Sequence, residues 1–182
     1  MQVCRLFLLF LVILAGCAGP PSTVTPVINA PYLVSRDGNV RYRVPAGWFD
    51  ASADSQETDR AIWLVRSDYA GTLTMHPVNL DAGARAGLLR EGLLQIARLT
   101  ASLEKGSKSG FIVHEPEIVR VNGKDACQYE VEYGSGEKVR TVLVDTGKNV
   151  YAIAAIVSSK SSGETAREIF SAQQSFVSVL RW

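Results

Sequence analysis

The sequence predicts an α+β domain in which a mainly antiparallel sheet of about six to eight strands carries two main helices packed on it. Three observations predict this class. Several short segments alternate apolar and polar residues with the period of a strand. Short turns rich in Gly, Asp and Asn separate these segments, which favours antiparallel pairing. Two longer segments repeat apolar residues every three or four positions, as one face of a helix does.

Predicted strands lie on both sides of the first predicted helix. Residues 32–35 and 39–44 flank an Asp-Gly turn pair and form a predicted hairpin, and strands 61–66 and 72–78 follow it. The strands after the helix are 111–120, 125–133, 138–145 and 150–158. The last of these is apolar on both faces, which predicts a central position in the sheet.

The first helix is predicted over residues 84–104. Its apolar face consists of Leu89, Leu93, Ile96, Leu99 and Leu103. Ser161 and Glu164 form a predicted capping box at the start of the second helix. The apolar stripe of that helix consists of Ala166, Ile169, Phe170, Gln173, Phe176, Val177 and Leu180. We expect this stripe to cover the strand 150–158.

The chain begins with a segment typical of secretion. Arg5 precedes residues 6–14, which include no polar side chain, as in a secretory signal. This apolar run is too short to span a bilayer, which would need about 20 apolar residues. The run ends in Leu-Ala-Gly followed by Cys17, an order that resembles the lipobox of bacterial lipoproteins. The resemblance implies that residues 1–16 are removed as a signal peptide and that the Cys17 thiol is lipidated. A plain secretory peptide with an incidental cysteine is the alternative.

Residues 17–31 comprise the predicted lipidated cysteine and a tether rich in proline and free of charge, which can hold the domain up to roughly 40 Å from the lipid. Residues 32–182 then form a single globular domain. Ala18 stands where an aspartate commonly retains lipoproteins in the inner membrane. In a host with two membranes, the resemblance therefore implies a lipid anchor in the outer membrane, with the domain facing the periplasm. In a host with a single membrane, the domain would lie on its outer face.

Net charge argues against one class of partner, and the cysteine content predicts the environment of Cys127. The chain has 19 basic and 18 acidic residues. Arg5 is the one charged residue within residues 1–16, so removal of that segment leaves 18 residues of each sign. A neutral chain argues against non-specific nucleic-acid binding, so no nucleic-acid partner is expected. Cys127 is the one cysteine left after lipidation, and it alternates with apolar residues in a strand, which predicts a buried thiol.

Four segments resemble the PsbP-like and DcrB-like group of domains. They are VRYRVPAGW at 40–48, NGKDACQYEVEY at 122–133, GKNVYAIAAIV at 147–157 and EIFSAQQSFVSVL at 168–180. The resemblance implies an α/β/α sandwich over residues 32–182. It also implies binding and support roles more often than catalysis.

Few residues are candidates for chemistry. A two-histidine metal site would need His76 and His114 to converge with a carboxylate such as Glu115 or Glu117. We expect no metal and no cofactor, because no local motif fixes such a geometry. No Gly-x-Ser-x-Gly turn exposes a serine nucleophile.

Two further features of the domain each have two possible interpretations. Glu130 and Glu132 share one strand face about 7 Å apart, which suits either paired carboxylates in hydrolysis or a solvated polar face. Trp182 is expected to be a lid on the core or an exposed contact.

The favoured function is that of a membrane-anchored envelope lipoprotein. We expect a non-enzymatic binding or accessory module whose partners are the membrane, through the acyl chains on Cys17, and an envelope protein. The alternative is a small envelope hydrolase or ligand-binding lipoprotein with a pocket between helix and sheet.

Overall fold

The computed structural model describes residues 31–57, 59–107 and 109–182. The predicted signal peptide and Cys17 lie outside these residues, as does the tether up to residue 30. No helix within the described ranges is long and apolar enough to cross a membrane.

The described residues form nine strands and three α-helices. The strands are β1 (Leu33–Val34), β2 (Arg41–Tyr42), β3 (Trp48–Asp50), β4 (Ile62–Arg66), β5 (Gly71–Pro77), β6 (Gly110–Val121), β7 (Lys124–Tyr133), β8 (Lys138–Asp145) and β9 (Val150–Val157). The helices are α1 (Ala82–Glu91), α2 (Leu93–Ser107) and α3 (Gly163–Val179).

Seven of the strands build one antiparallel sheet in the order β3-β4-β5-β9-β8-β7-β6. Strand β9 occupies the centre, which confirms the expectation from its two apolar faces. Strands β1 and β2 pair as a separate hairpin, as the Asp-Gly turn predicted. Strand β3 was not predicted, because it contributes only three residues to the sheet edge.

Helices cover both faces of the sheet, and each face has its own core. The core under α2 contains Ile96, Ala97, Ala101, Cys127, Tyr129, Val131, Tyr133, Val139 and Leu143. The core under α3 and the β1–β2 hairpin includes Tyr42, Leu64, Leu73, Met75, Tyr151, Ile153, Ile169 and Phe176. This arrangement confirms the predicted α+β class with the layers of an α/β/α sandwich.

The prediction of the first helix was wrong in its continuity and right for only part of its buried face. The helix is interrupted between α1 and α2 at Gly92, whose φ of 76° lies in the left-handed region that favours glycine. Leu89, Leu99 and Leu103 are 86%, 47% and 73% exposed. The buried residues of α2 are Ile96, as predicted, together with Ala97 and Ala101, and Leu93 packs in part against the same core. The two alanines lack bulk, so α2 can pack closely against the sheet.

The start of α3 differs by one residue from the predicted capping box. Ser162 is the N-cap, and its hydroxyl accepts a hydrogen bond of 3.1 Å from the Thr165 amide. The Ser161 hydroxyl donates to the Ala70 carbonyl instead. Phe170 lies only partly in the core, whereas Phe176 is fully buried.

Candidate functional site

Strands β6, β7 and β8 carry rows of polar side chains on the face of the sheet that α3 covers only in part. In one row Glu132 of β7 lies opposite Lys138, and in the next Glu130 lies opposite Arg140. We call this surface the polar sheet face. Its polar members are His114, Glu117, Gln128, Glu130, Glu132, Lys138 and Arg140, and the exposed ring of Phe111 lies opposite Glu132 at one end of it.

The two glutamates that were candidates for hydrolysis each contact a different basic side chain. The Lys138 ammonium lies 3.5 Å from the Glu132 carboxylate, and His114 Nε2 lies 3.6 Å from the Glu130 carboxylate. Cross-strand pairs of this kind stabilise a sheet, and each carboxylate here has its own basic partner. The geometry therefore favours the reading of a charged surface over that of a hydrolytic pair.

Arg140 connects the polar sheet face to α3. Its Nε donates to the Gln173 side-chain oxygen at 2.7 Å, and its Nη2 donates to the Phe170 carbonyl. The guanidinium carbon also lies 4.5 Å from the centre of the Phe170 ring, in a cation–π contact. Burial lowers the pKa of Arg140, and the nearby Glu130 carboxylate opposes that effect.

Gln173 lies in the core and forms hydrogen bonds from α3 to two strands of the sheet. Its amide nitrogen donates to the Arg140 carbonyl at 2.8 Å and to the Ile153 carbonyl at 2.7 Å. A polar residue inside an otherwise apolar stripe was the sequence signal for such a role. Its partners could not be read, because Arg140 lies 33 positions away in the chain.

A cleft with a volume of about 340 Å³ lies between α3 and strands β6 to β8. Its lining residues are Val119, Arg120, Val121, Asn122, Gln128, Arg140, Val142, Gln174, Val177 and Ser178. This is the pocket between helix and sheet that the alternative function requires.

A larger cleft of about 520 Å³ lies at the junction of α1 and α2. Its lining includes apolar side chains such as Leu88 and Leu93, together with Asp125 and Lys148. Both of these charged residues are exposed, so water and salt screen them. We therefore regard the smaller cleft, with its partly buried arginine, as the better candidate for a ligand site.

The structure does not bring the two histidines together. His76 lies on β5 and His114 on β6, four strand intervals apart, which is about 19 Å. Glu115 and Glu117 lie with His114 on β6. The two-histidine metal site considered from the sequence therefore does not form.

His76 instead lies near Glu57 and Asp59. Each of these three residues offers one potential ligand atom, and the three atoms lie within 4.8 Å of one another. Burial lowers the pKa of His76, and the charge of Arg60 lowers it further. Arg60 also forms an ion pair of 2.6 Å with Glu57. This neighbouring cation opposes metal binding, so we read the cluster as an ion-pair network. The cluster could not be predicted from the sequence, because Glu57 and Asp59 precede β4 whereas His76 lies on β5.

Cys127 and Trp182 have structural positions. Cys127 is buried beneath α2, as predicted, and burial raises the pKa of its thiol. Trp182 packs against the core under α3, with the Lys124 ammonium 4.9 Å from its ring centre. The terminal tryptophan is thus a lid on the core, which was one of its two expected positions.

The sequence matches no protein-family model and no curated protein. Solved structures do resemble the fold. The solution structure of cyanobacterial PsbP (CyanoP) from Synechocystis sp. PCC 6803 has 9% identity and a TM-score of 0.56, and the match covers 91% of this chain and 99% of that one. LpqN of Mycobacterium tuberculosis, described as involved in cell envelope biogenesis, has 14% identity and a TM-score of 0.51 over 78% of this chain and 81% of its own.

A Bacteroides thetaiotaomicron protein has 11% identity and a TM-score of 0.50, over 84% of this chain and 48% of that one. At these identities the likeness concerns the fold. The strand order, the two helical layers and the match to CyanoP together show that the chain has a PsbP-like fold.

Proposed function

We propose that this chain is an envelope lipoprotein, anchored through Cys17, whose domain is a non-enzymatic binding or accessory module for an envelope protein. The sequence around Cys17 supports the anchor, since an apolar run and small residues precede the cysteine in the order of a lipobox. Two or more acyl chains hold a protein stably on a membrane. Ala18 after the cysteine favours the outer membrane of a host with two membranes.

The arrangement of the polar sheet face carries the binding part of the proposal. Its charged groups lie in cross-strand rows with opposite signs side by side, as in Lys138 with Glu132. A catalytic site instead directs several groups at one open position, where a reacting atom can sit. Ordered charges on a rigid sheet favour recognition of a partner by charge complementarity.

The structural neighbours support the same proposal by analogy. LpqN, a protein involved in cell envelope biogenesis, has the same architecture. A shared fold does not determine function, so this support is weaker than that of the charge rows.

Site-specific photo-crosslinking in native membranes tests the proposal. A photoreactive amino acid would replace Glu117, which is exposed on the polar sheet face, and the matched control would replace Arg98, which is exposed on α2 across the sheet. We expect one envelope protein to be captured from position 117 and not from position 98. Capture of the same proteins from both positions, or of none from position 117, contradicts the proposal.

The cleft beside Arg140 favours a second candidate function, that of a lipoprotein that binds a small ligand. Its volume of about 340 Å³ is at the small end of the range for ligand sites in proteins.

A further inference from the structure

Arg140 has no carboxylate within ion-pairing distance among the described residues. Its contacts are the Gln173 side chain, the Phe170 carbonyl and the Phe170 ring, and all three partners are uncharged. Glu130 is its cross-strand neighbour and its charge acts on Arg140, but the carboxylate lies beyond ion-pairing distance of the guanidinium and 3.6 Å from His114 Nε2. Partly buried charges in proteins normally have a counter-ion nearby.

One end of the guanidinium is available to the cleft. Nε and Nη2 are both engaged with α3, whereas no described residue accepts a hydrogen bond from Nη1. Arg140 lines the cleft between α3 and the sheet. The two bonds to α3 fix the guanidinium before any ligand arrives, which reduces the entropy lost on binding.

The rest of the cleft is apolar at its base and polar but uncharged over much of its rim. The apolar lining consists of Val119, Val121, Val142 and Val177. The amides of Asn122, Gln128 and Gln174 and the Ser178 hydroxyl provide neutral donors and acceptors. Arg120 also lines the cleft, but its charge is compensated by Asp125, 3.0 Å from its Nε.

We propose that this cleft binds a small carboxylic acid with a short apolar body, whose carboxylate contacts Arg140 and whose body lies on the four valines. The inference deepens the second candidate function above and does not depend on lipid anchoring. The guanidinium forms no ion pair with the described residues and has Nη1 free, so a carboxylate, with a single negative charge, fits it better than a doubly charged phosphate. The small volume and the valine surface favour a short aliphatic chain.

The test is a titration followed by ¹H–¹⁵N NMR on the mature chain, residues 17–182, with Cys17→Ser to keep it unlipidated. The ligands are hexanoate, hexan-1-ol, which has the same chain without the charge, and acetate, which has the charge without the chain. We expect saturable shifts of the Val119, Val142 and Ser178 amides with hexanoate. Hexanol and acetate should each bind at least about tenfold more weakly.

Three variants complete the test. Arg140→Gln should weaken hexanoate binding at least about tenfold, and Arg98→Gln, on the other face of the sheet, should leave it unchanged. Ser178→Trp places a large ring at an exposed position of the cleft and should block binding while the fold is kept. Ser178→Trp therefore tests binding in the cleft even if Arg140→Gln destabilises the domain.

Three results would overturn the inference. They are the absence of shifts at the cleft up to about 10 mM hexanoate, equal binding of hexanol, and unchanged binding by Ser178→Trp. None of them bears on the crosslinking result, because this titration uses neither a membrane nor a partner protein. Failure of crosslinking would likewise leave the titration unaffected.

Discussion

Arg140 and Gln173 are joined by two hydrogen bonds that run in opposite directions. The arginine Nε donates to the glutamine oxygen at 2.7 Å, and the glutamine nitrogen donates to the arginine carbonyl at 2.8 Å. Gln173 is fully buried, and it also donates to the carbonyl of Ile153 on the central strand. This one side chain therefore connects α3, β8 and β9.

Gln173→Leu should destabilise the domain by about 3 kcal/mol, because it leaves two carbonyls and the arginine Nε without their partner. The matched control is Gln174→Leu, an exposed position one residue later, which should change the free energy of unfolding by less than about 0.5 kcal/mol. Urea denaturation measures both. Equal effects from the two variants would show that the buried hydrogen bonds contribute nothing.

Phe176→Ala should destabilise the domain by about 3–5 kcal/mol, because the ring is fully buried and packs edge-on against Tyr42, with 6.1 Å between ring centres. Phe170→Ala should have less than half that effect, since Phe170 is only partly buried. Thermal or urea denaturation of the two variants compares them directly. A larger loss for Phe170→Ala would show that α3 is rotated from the orientation described.

Gly71→Ala should destabilise the domain by about 1–3 kcal/mol. The added Cβ would lie 2.6 Å from Ile169 Cδ1 and 2.7 Å from the Ile156 carbonyl oxygen. Adding Ile169→Val removes the first clash alone, so it should restore only part of the loss. Gly106→Ala is the control, because no heavy atom lies within 4 Å of its Cβ position, and it should stabilise α2 by about 0.5 kcal/mol. Denaturation curves in which Gly71→Ala is as stable as the parent contradict the close approach of α3 to β5.

Asp37 should make stability fall in acid. Burial raises the pKa of Asp37, but hydrogen bonds from Ser35, Tyr151 and Asn39 outweigh it and hold the pKa below its ordinary value of 3.8. A depressed pKa in the folded state gives stability that is present above 3.8 and is lost as the pH falls through the folded value. Asp37→Asn should therefore reduce the difference in unfolding free energy between pH 7 and about pH 3. An unchanged difference would show that Asp37 does not contribute.

The strands were predictable because their turns are marked by local chemistry. Asn122 and Gly123, which join β6 to β7, both have positive φ, of 52° and 77°. Asparagine and glycine tolerate that region best, so the turn is visible in the sequence. The buried face of α2 was predicted only in part, through Leu93 and Ile96. The exposed leucines of this helix are as apolar as core residues, and the small alanines that face the sheet give a weak signal.

The candidate site was predictable only in its parts. Glu130, Glu132 and His114 could each be named from local sequence, whereas Gln173 was predicted only as one member of the apolar stripe of α3. Their neighbours depend on which strands pair and on where α3 crosses the sheet. The position of Arg140 against α3 is a long-range property of that kind, since it joins residues on separate elements.

We propose that a lipid on Cys17 holds this domain at a membrane. Intact-mass spectrometry of the wild-type protein extracted from its native membranes tests it most directly. We predict a chain that lacks residues 1–16 and carries the added mass of a diacylglyceryl group, usually with a further acyl chain, on Cys17. Cys17→Ser is the control, and it should leave the membrane fraction or remain as an uncut precursor. A wild-type chain that is soluble, with Cys17 unmodified, would contradict the account.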